Sequence, residues 1–478
     1  PAGIDVPLYI DAIKQGNYRE SYDLIYRDNP LPATCGRVCP ALCARRCRRG
    51  LLDDAIGIRE LKRFVSDWVM SNDSLKVTAP TQKKGKSVGI VGSGPAGLTS
   101  AYYLARLGYD VTIYEALPVA GGMLAVGIPE FRLPAAVLNK EIGLIEALGV
   151  KIKTGVRAGK DISMKNLKKN HDALFIGVGA HKDQTLGIPG EDLKGVVSGI
   201  EFLRNISLGK KIDLKGKTVV IVGGGNVAID VARTSLRLGA KAHIVYRREK
   251  KDMPAFASEI QEAMEEGTEF TFLASPLKAV GNKKKELTKI VLQKMELGAY
   301  DKSGRRRPIA IKGAEITLDA DLIVPAIGQE PAYEKMDEEL KLNKNRGNTL
   351  AVDKRSMVTN ADGVFAGGDC VSGPATVVEA IGAGKKAAAA IDQYLGGSGV
   401  LYEYEEPVRK LVGPVAEAGR LVKPDCMALD KRLASFDEVE FAYTKEQAFI
   451  EAKRCMRCDI KESDDEEGPN GHCPGCGC

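Results

Sequence analysis

Histidine is scarce in this chain, with four residues among 478, and tryptophan occurs once. No Ser-His-Asp arrangement, HExxH motif or carboxylate pair stands out. These gaps argue against a reaction that depends on acid–base catalysis by side chains. They fit chemistry in which the protein mainly positions other groups.

Long apolar stretches are also missing, because no run reaches the roughly 18 residues that a membrane-spanning helix needs. The net charge is only +6, and the basic runs at 83–86, 283–285 and 305–307 are separated and carry no interleaved aromatic residues. We therefore expect neither membrane insertion nor nucleic-acid binding. No signal-peptide pattern is visible, so the expected location is the cytoplasm.

Cysteine is absent from Arg48 to Asp369, although the chain has eleven cysteines in all. Four lie at Cys35, Cys39, Cys43 and Cys47, and six lie between 426 and 478. An odd number in two crowded groups does not suit a disulfide framework and favours metal or cluster binding. The C-x3-C spacing fits zinc or iron–sulfur equally well, because both take soft thiolate ligands.

The chain contains the same pattern twice, at 87–116 and 218–248. Each copy has an apolar strand, a glycine-rich turn, a helix that ends at Leu-Gly and a second apolar strand. This is the βαβ unit that binds dinucleotides, and two complete copies are much stronger evidence than a single GxGxxG. The alternative is that one copy keeps the fold without a ligand.

The first copy has the residues of an FAD site. Gly92 permits the tight turn, Gly94 lets the backbone approach a pyrophosphate, and Gly97 lets the helix pack on the strand. Glu115, after the second strand, can accept hydrogen bonds from an unphosphorylated ribose.

The second copy differs at the position of that acid. Gly223 and Gly225 keep the turn, and Ala228 replaces the third glycine. Arg247 and Arg248 follow Tyr246 where the first copy has Glu115, and they would attract a 2′-phosphate. The second unit is therefore predicted to bind NADP(H) rather than NAD(H). The alternative is that these arginines belong to a solvated basic run on the surface.

The length suggests about three domains. We predict a helical domain at 1–78, an FAD-binding domain at 86–200 and 331–396, an NADP(H)-binding domain at 216–330, and a C-terminal extension at 400–478. Buried strands are expected at 173–180, 321–331 and 363–369, and this order indicates an α/β fold in which one Rossmann domain is inserted into another.

Four motifs together resemble a known family. GSGPAG, GGMLAVGIPEFRLP, GGGNVAID with VYRREKKDMPA, and GVFAGGDCVSGPATVVEAIGAGKKAA are similar to the small subunit of glutamate synthase. The same architecture occurs in the large subunit of the NADH-dependent ferredoxin:NADP⁺ oxidoreductase and in the N-terminal half of dihydropyrimidine dehydrogenase. The resemblance spans about 1–460 and implies FAD, NADP(H) and two [4Fe-4S] clusters on an N-terminal α-helical iron–sulfur domain.

The resemblance also implies roles for individual residues. Asp369 would contact the flavin ribityl chain, Gly121 and Gly122 would lie beside the flavin, and Thr376, Val377 and Glu379 would lie near its pyrimidine edge. Cys370 is expected to be a small buried residue. Further cofactor-binding candidates within the motifs and turns are Pro95, Ala96, Met123, Arg132, Gly179, Asn226, Val227, Gly328 and Gly368.

The resemblance favours [4Fe-4S] clusters over zinc for the N-terminal cysteines. Cys455 and Cys458 resemble a pair that the family uses for the same purpose, which gives six ligands for two clusters. A further pair is expected upstream of Pro1, so we expect the sequence to lack an N-terminal piece. His472, Cys473, Cys476 and Cys478 would complete a cluster, bind an extra metal or stay unligated.

The expected function is a subunit that passes electrons between NADP(H) and a partner. The partner would be a subunit with iron–sulfur clusters or flavin, or a ferredoxin. The resulting hetero-oligomer is a candidate for an electron-bifurcating complex. The alternatives are a small subunit that feeds a separate synthase subunit and a non-catalytic assembly subunit. A thioredoxin-reductase-type enzyme is disfavoured, because its CxxC would fall within the stretch that lacks cysteine.

Overall fold

The computed structural model describes residues 1–460 except 73, 74, 76, 302, 303, 334 and 405–417. The N-terminal domain is helical, as predicted. Its helices are α1 (Val6–Lys14), α2 (Tyr18–Asp28), α3 (Pro32–Val38) and α4 (Ile58–Asn72), with two 3-10 turns at Ala44–Arg46 and Arg48–Leu51. In α4, Ile58, Leu61 and Val65 recur at helical spacing and are buried, so they form a core face of the helix.

The next domain is built on a five-stranded parallel sheet. Its helices are α5 (Pro95–Arg106), α6 (Met123–Val126), α7 (Ala135–Glu146), α8 (Met164–Asn170), α12 (Met336–Leu340), α13 (Asp369–Ser372) and α14 (Val377–Tyr394). The strand order is β14-β4-β1-β2-β3, with β1 (Ser87–Val91), β2 (Asp110–Tyr114), β3 (Lys151–Lys153), β4 (Ala173–Ile176) and β14 (Val364–Ala366). Strand β14 joins this sheet although it follows the second Rossmann unit in the chain, which gives the insertion expected from the sequence.

The inserted domain has a four-stranded parallel sheet in the order β12-β6-β7-β8. The strands are β6 (Thr218–Val222), β7 (Lys241–Tyr246), β8 (Glu269–Phe272) and β12 (Leu322–Pro325), and the helices are α9 (Gly199–Ser207), α10 (Asn226–Arg237) and α11 (Ala257–Glu265), with a 3-10 turn at Lys250–Asp252. The two segments that connect the domains pair as short antiparallel strands, β5 (Lys182–Asp183) and β13 (Gln329–Glu330).

A three-stranded antiparallel sheet lies between β8 and β12 and was not predicted. It consists of β9 (Ala274–Gly281), β10 (Leu287–Tyr300) and β11 (Arg306–Asp319) in the order β11-β10-β9. Strand β11 is mostly exposed or half-buried along its length. It therefore lacks the continuous apolar run that identified the buried parallel strands.

The described part of the C-terminal extension packs on other domains. Helix α15 (Leu429–Ala434) contacts α10, and helix α16 (Lys445–Lys453) contacts α1 and α4. Buried Tyr443, Ala448 and Ala452 share one apolar core with Tyr9 and Leu61 of the N-terminal domain. This packing brings the segment that carries Cys455 and Cys458 against the domain that carries the N-terminal cysteines.

Candidate functional site

A cleft of about 340 Å³ lies between the two Rossmann domains. Most of the predicted cofactor-binding residues line it, namely Gly92, Gly94, Pro95, Ala96, Glu115, Gly122, Met123, Arg132, Gly179, Asn226, Val227, Gly368, Asp369, Thr376 and Val377. They come from both domains, so the structure brings the first glycine-rich turn and the start of α10, which follows the second turn, to one cavity.

The remaining predicted residues do not line the cleft: Gly97, Gly121, Gly223, Gly225, Ala228, Arg247, Arg248, Gly328 and Glu379. Gly97 instead makes the close packing that was predicted for the third glycine of the motif, since an added Cβ would lie 2.0 Å from the Gly92 carbonyl oxygen. Glu379 is exposed and forms a capping box with Thr376 at the start of α14.

Both Rossmann helices begin at the cleft without a side-chain cap. Gly94 precedes α5 and Gly225 precedes α10, and neither helix has a capping side-chain hydrogen bond. Gly92 has φ +96°, and a Cβ there would meet the Gly177 carbonyl oxygen at 2.5 Å, so the turn requires glycine. Uncapped helix N-termini of this kind favour phosphate groups.

Glu115 lies directly after β2 and is held in place by Ser93 of the first glycine-rich turn and by Leu117 of its own loop. Its carboxylate accepts hydrogen bonds from the Ser93 backbone (2.9 Å), the Ser93 hydroxyl (2.6 Å) and the Leu117 backbone (2.8 Å). The Ser93 hydroxyl also accepts from the Gly121 N–H at 3.0 Å. These bonds orient a carboxylate at the cleft wall where a ribose would lie.

Asp369 begins α13 and also lines the cleft. Burial raises the pKa of its carboxyl to about 6, while the Ala375 N–H, which donates to it, acts in the opposite direction. Cys370 beside it is fully buried and donates to the Ile176 and Gly367 carbonyls, as expected for a packing residue.

Arg247 and Arg248 have different surroundings. Arg248 is 4% exposed and donates to the Arg306 carbonyl (2.8 Å) and to Asp301 (2.9 Å). Arg247 is exposed at the end of β7. Arg248 is therefore bonded to the antiparallel hairpin, whereas the side chain of Arg247 is at the surface.

Arg132 connects the two domains. Its guanidinium bonds to both carboxylate oxygens of Asp230 on α10 at 2.8 Å and to Glu259 on α11 at 2.8 Å. Burial raises the pKa of Asp230 to about 6, and Arg132 opposes that shift. Sequence analysis named Arg132 as a cofactor-binding candidate but did not identify these ion pairs.

Sequence analysis missed several residues that line the cleft, among them Arg157, His181 and Arg204. Arg204 lies 3.2 Å from His181 Nδ1. Burial and then the charges of Arg204 and Arg157 lower the pKa of His181 to about 4, so the ring is neutral near pH 7. The only feature of the sequence that could have identified His181 is its position two residues after Gly179, which was named as a cofactor-binding candidate.

The electrostatic contributions to their pKa values divide the predicted cysteine ligands into two groups. Burial raises the pKa of Cys35 and of Cys43, and the nearby charge of Cys39 adds to both shifts. Burial likewise raises the pKa of Cys455, with further contributions from Cys47 and Cys458. We call Cys35, Cys39 and Cys43 the first thiol group, and Cys47, Cys455 and Cys458 the second.

No three Cys, His, Asp or Glu side chains in the described part of the chain are close enough to hold a single metal ion. The donors in both groups are all thiols, which suits an iron–sulfur cluster. The charge of the buried Lys62 side chain lowers the pKa of Cys35 and Cys43 against the effect of burial, so it favours thiolates in the first group. His472, Cys473, Cys476 and Cys478 lie outside the described residues.

Two family models match the chain. Residues 86–384 match the model described as pyridine nucleotide-disulphide oxidoreductase, and residues 1–74 match dihydropyrimidine dehydrogenase domain II, 4Fe-4S cluster. In the described residues, no helix has both the length and the apolar character that crossing a membrane requires.

Relatives with similar sequences are redox subunits. The chain is 42% identical to the NADP(+)-dependent formate dehydrogenase subunit beta of Moorella thermoacetica, over 96% of this chain and 69% of the relative. It is 39% identical to the NADPH-Fe(3+) oxidoreductase subunit beta of Geobacter sulfurreducens, over 96% and 74%. It is 34% identical to the glutamate synthase [NADPH] small chain of Azospirillum brasilense, over 82% and 85%.

Solved structures support the fold. Mycobacterium tuberculosis FprA in complex with NADPH superposes with a TM-score of 0.56 at 22% identity, over 65% of this chain and 85% of that one. Lactococcus lactis thioredoxin reductase superposes with a TM-score of 0.50 at 22% identity, over 65% and 99%. The predicted fold of two Rossmann domains is confirmed.

Proposed function

The chain belongs to the pyridine nucleotide-disulphide oxidoreductase family and carries a 4Fe-4S domain in residues 1–74, and from this we propose that it transfers electrons between NADP(H) and a partner redox subunit. FAD in the cleft and clusters at the two thiol groups would form the route. The relatives named as beta subunits or small chains support a hetero-oligomer.

One observation carries the proposal: the segment that bears the first thiol group forms part of the cleft wall. Val38 and Pro40 both line the cleft, and Cys39 lies between them. Glu141 of α7 accepts hydrogen bonds from the backbone N–H groups of Ala33 (2.6 Å) and Thr34 (3.0 Å) at the start of α3. Cys39 therefore lies between two cleft-lining residues, and α3 is anchored on α7 of the first Rossmann domain.

The FAD-binding residues have complementary tasks. FAD supplies the exchange between hydride transfer and single-electron transfer. The turn from Gly92 to Gly94 and the start of α5 would hold its pyrophosphate, Glu115 would accept from its ribose, and Asp369 would face its ribityl chain. These groups bind and orient, which agrees with the shortage of acid–base residues.

The NADP(H)-binding residues lie on the inserted domain. Asn226 and Val227, at the start of α10, line the same cleft and would face the pyrophosphate. Arg247 would pair with the 2′-phosphate, and Arg248 would support it by fixing the end of β7 against the antiparallel sheet.

The test is an anaerobic titration of the purified protein with NADPH, followed by visible absorption and low-temperature EPR. We expect the flavin bands to bleach and signals of reduced clusters to appear. Flavin reduction without any cluster signal, even with a stronger reductant, would instead identify a simple two-electron flavin reductase.

A further inference from the structure

Two leucines of the N-terminal domain are exposed side by side. Among the described residues of 1–78, only Leu51 and Leu52 are large apolar side chains with high exposure, at 86% and 71%. Leu51 ends the 3-10 turn Arg48–Leu51, which begins directly after Cys47, and Leu52 follows it. Such a pair is unfavourable in water, and clustered exposed apolar side chains mark surfaces that another molecule covers.

Positive charges flank these leucines. Arg45 and Arg46, in the preceding 3-10 turn, are exposed, and no carboxylate in the described part of the chain lies within ion-pair distance of either. The two 3-10 turns contact each other. On the other side, Arg420 lies 3.8 Å from Asp54, and its side chain is 88% exposed. We call Arg45, Arg46, Leu51 and Leu52 the leucine–arginine patch.

This patch adjoins cysteines from both ends of the chain. Arg49 Nη1 donates to the Arg454 carbonyl at 3.1 Å, which joins the turn after Cys47 to the residue before Cys455. Both cysteines pack against the same apolar core, and Cys458 is exposed. The patch therefore lies at the surface of the 4Fe-4S domain where thiols approach the solvent.

We propose that the leucine–arginine patch is the docking surface for an acidic iron–sulfur protein that exchanges single electrons with this chain. The leucines lie at the desolvated centre of the contact, and the arginines at its rim pair with carboxylates of the partner. Two reduced partner molecules each give one electron, and NADP⁺ takes both electrons with one proton. The inference rests on the proposed function, because the electrons must pass between the clusters and NADP(H).

Other occupants complement the patch less well. The acidic run at 463–467 has the right charge, but residues 461–478 contain no large apolar side chain that could cover the leucines. A second copy bound through the same patch would bring Arg45 and Arg46 towards their own counterparts, and like charges repel each other. A partner with carboxylates around an apolar centre complements both the charge and the leucines.

The test measures the reduction of NADP⁺ by a reduced acidic ferredoxin. The oxidation of NADPH by menadione, a small neutral acceptor, gives the basal activity. Leu51→Ser with Leu52→Ser removes the apolar centre, and Arg45→Glu with Arg46→Glu reverses the charge. The matched controls are at exposed positions outside the patch, namely Val400→Ser for the leucines and Lys283→Glu with Lys284→Glu for the arginines. Iron content and circular dichroism check assembly.

Each patch variant should lose efficiency with the ferredoxin alone. At low ionic strength we expect kcat/KM for the ferredoxin to fall about tenfold, with the menadione rate and both controls at the wild-type level. The loss in the arginine variant should shrink as salt is added, because salt screens exposed charges. The loss in the leucine variant should persist, because apolar contacts are not screened. If the arginine variant loses iron, the leucine variant decides.

Wild-type kcat/KM for the ferredoxin in a fully loaded leucine variant would overturn the inference. So would a wild-type protein whose clusters are reduced by NADPH but which exchanges no electrons with the ferredoxin. Failure of NADPH to reduce the clusters of the wild type would instead overturn the proposed function.

Three further results would assign the patch to another occupant and overturn the inference. A wild-type dimer that dissociates in the leucine variant, measured by sedimentation, would identify a second copy. Binding to phosphatidylserine vesicles that the leucine variant loses would identify a membrane surface. A faster ferredoxin reaction after the four acids at 464–467 are changed to amides, absent when the leucines are also replaced, would identify the chain's own acidic run.

Discussion

At the scale of single residues, the two arginines after β7 are adjacent in sequence but differ in their surroundings. Arg248 is held by Asp301, which lies 53 positions further along the chain. Arg247 has its side chain at the surface. The residue types after β7 could be predicted to attract phosphate, but the partner of Arg248 could not, because it depends on a hairpin that sequence analysis missed.

Arg247→Ala should reduce the preference for NADPH over NADH. Loss of one charge-assisted contact to the 2′-phosphate is expected to weaken NADPH binding by about 1.5–3 kcal/mol and to leave NADH binding nearly unchanged. Fluorescence titration with both nucleotides measures this. Lys241→Ala, at the exposed opposite end of β7, is the control and should leave both affinities unchanged. Equal losses for the two nucleotides in Arg247→Ala would contradict the role given to this arginine.

At the scale of secondary-structure elements, the strands and helices around the two glycine-rich turns were predictable. Strands β1 and β6 are continuous apolar runs because their sheets are covered on both faces. The contact that places α3 was not predictable, since Glu141 and its partner Ala33 are 108 positions apart.

The capping of α3 by Glu141 should depend on pH. Burial raises the pKa of this carboxyl from 4.5 to about 7, although the hydrogen bonds from Thr34 and Ala33 oppose the shift. An acid with a higher pKa in the folded chain binds more protons when folded, so its contribution to stability falls as the pH rises from about 4.5 to about 7.

Glu141→Gln should remove this dependence. The melting temperature of the wild type minus that of the variant is expected to decrease between pH 5 and pH 8, which corresponds to a change on the order of 1–3 kcal/mol. Glu146→Gln, exposed on the same helix, should show no such trend. A constant difference for Glu141→Gln across this range would argue against the raised pKa.

At the scale of the whole molecule, ion pairs at the cleft link the two Rossmann domains. Arg132 bonds to both Asp230 and Glu259, and Glu259 also pairs with Arg233. Insertion of one domain into the other could be predicted from the order of the strands. The contacts that fix their relative position could not, because they join side chains 98 positions apart.

The two ends of this link should respond unequally to substitution. Arg132→Met leaves buried Asp230 without its bidentate partner and is expected to cost about 3–5 kcal/mol. Asp230→Asn should cost less, because Arg132 keeps its pair with Glu259. Melting temperatures of the two variants test this, and equal losses would contradict the compensating role given to the pair of Arg132 with Glu259.

The packing of α16 on α1 and α4 has a consequence for biogenesis. Arg49 donates to the Arg454 carbonyl, 405 positions later in the chain, beside the second thiol group. During translation, Cys47 leaves the ribosome long before Cys455 exists. A cluster shared by these residues, as proposed, would therefore be loaded only after almost the whole polypeptide has been synthesised, and a nascent or truncated chain that ends before α16 would not receive it.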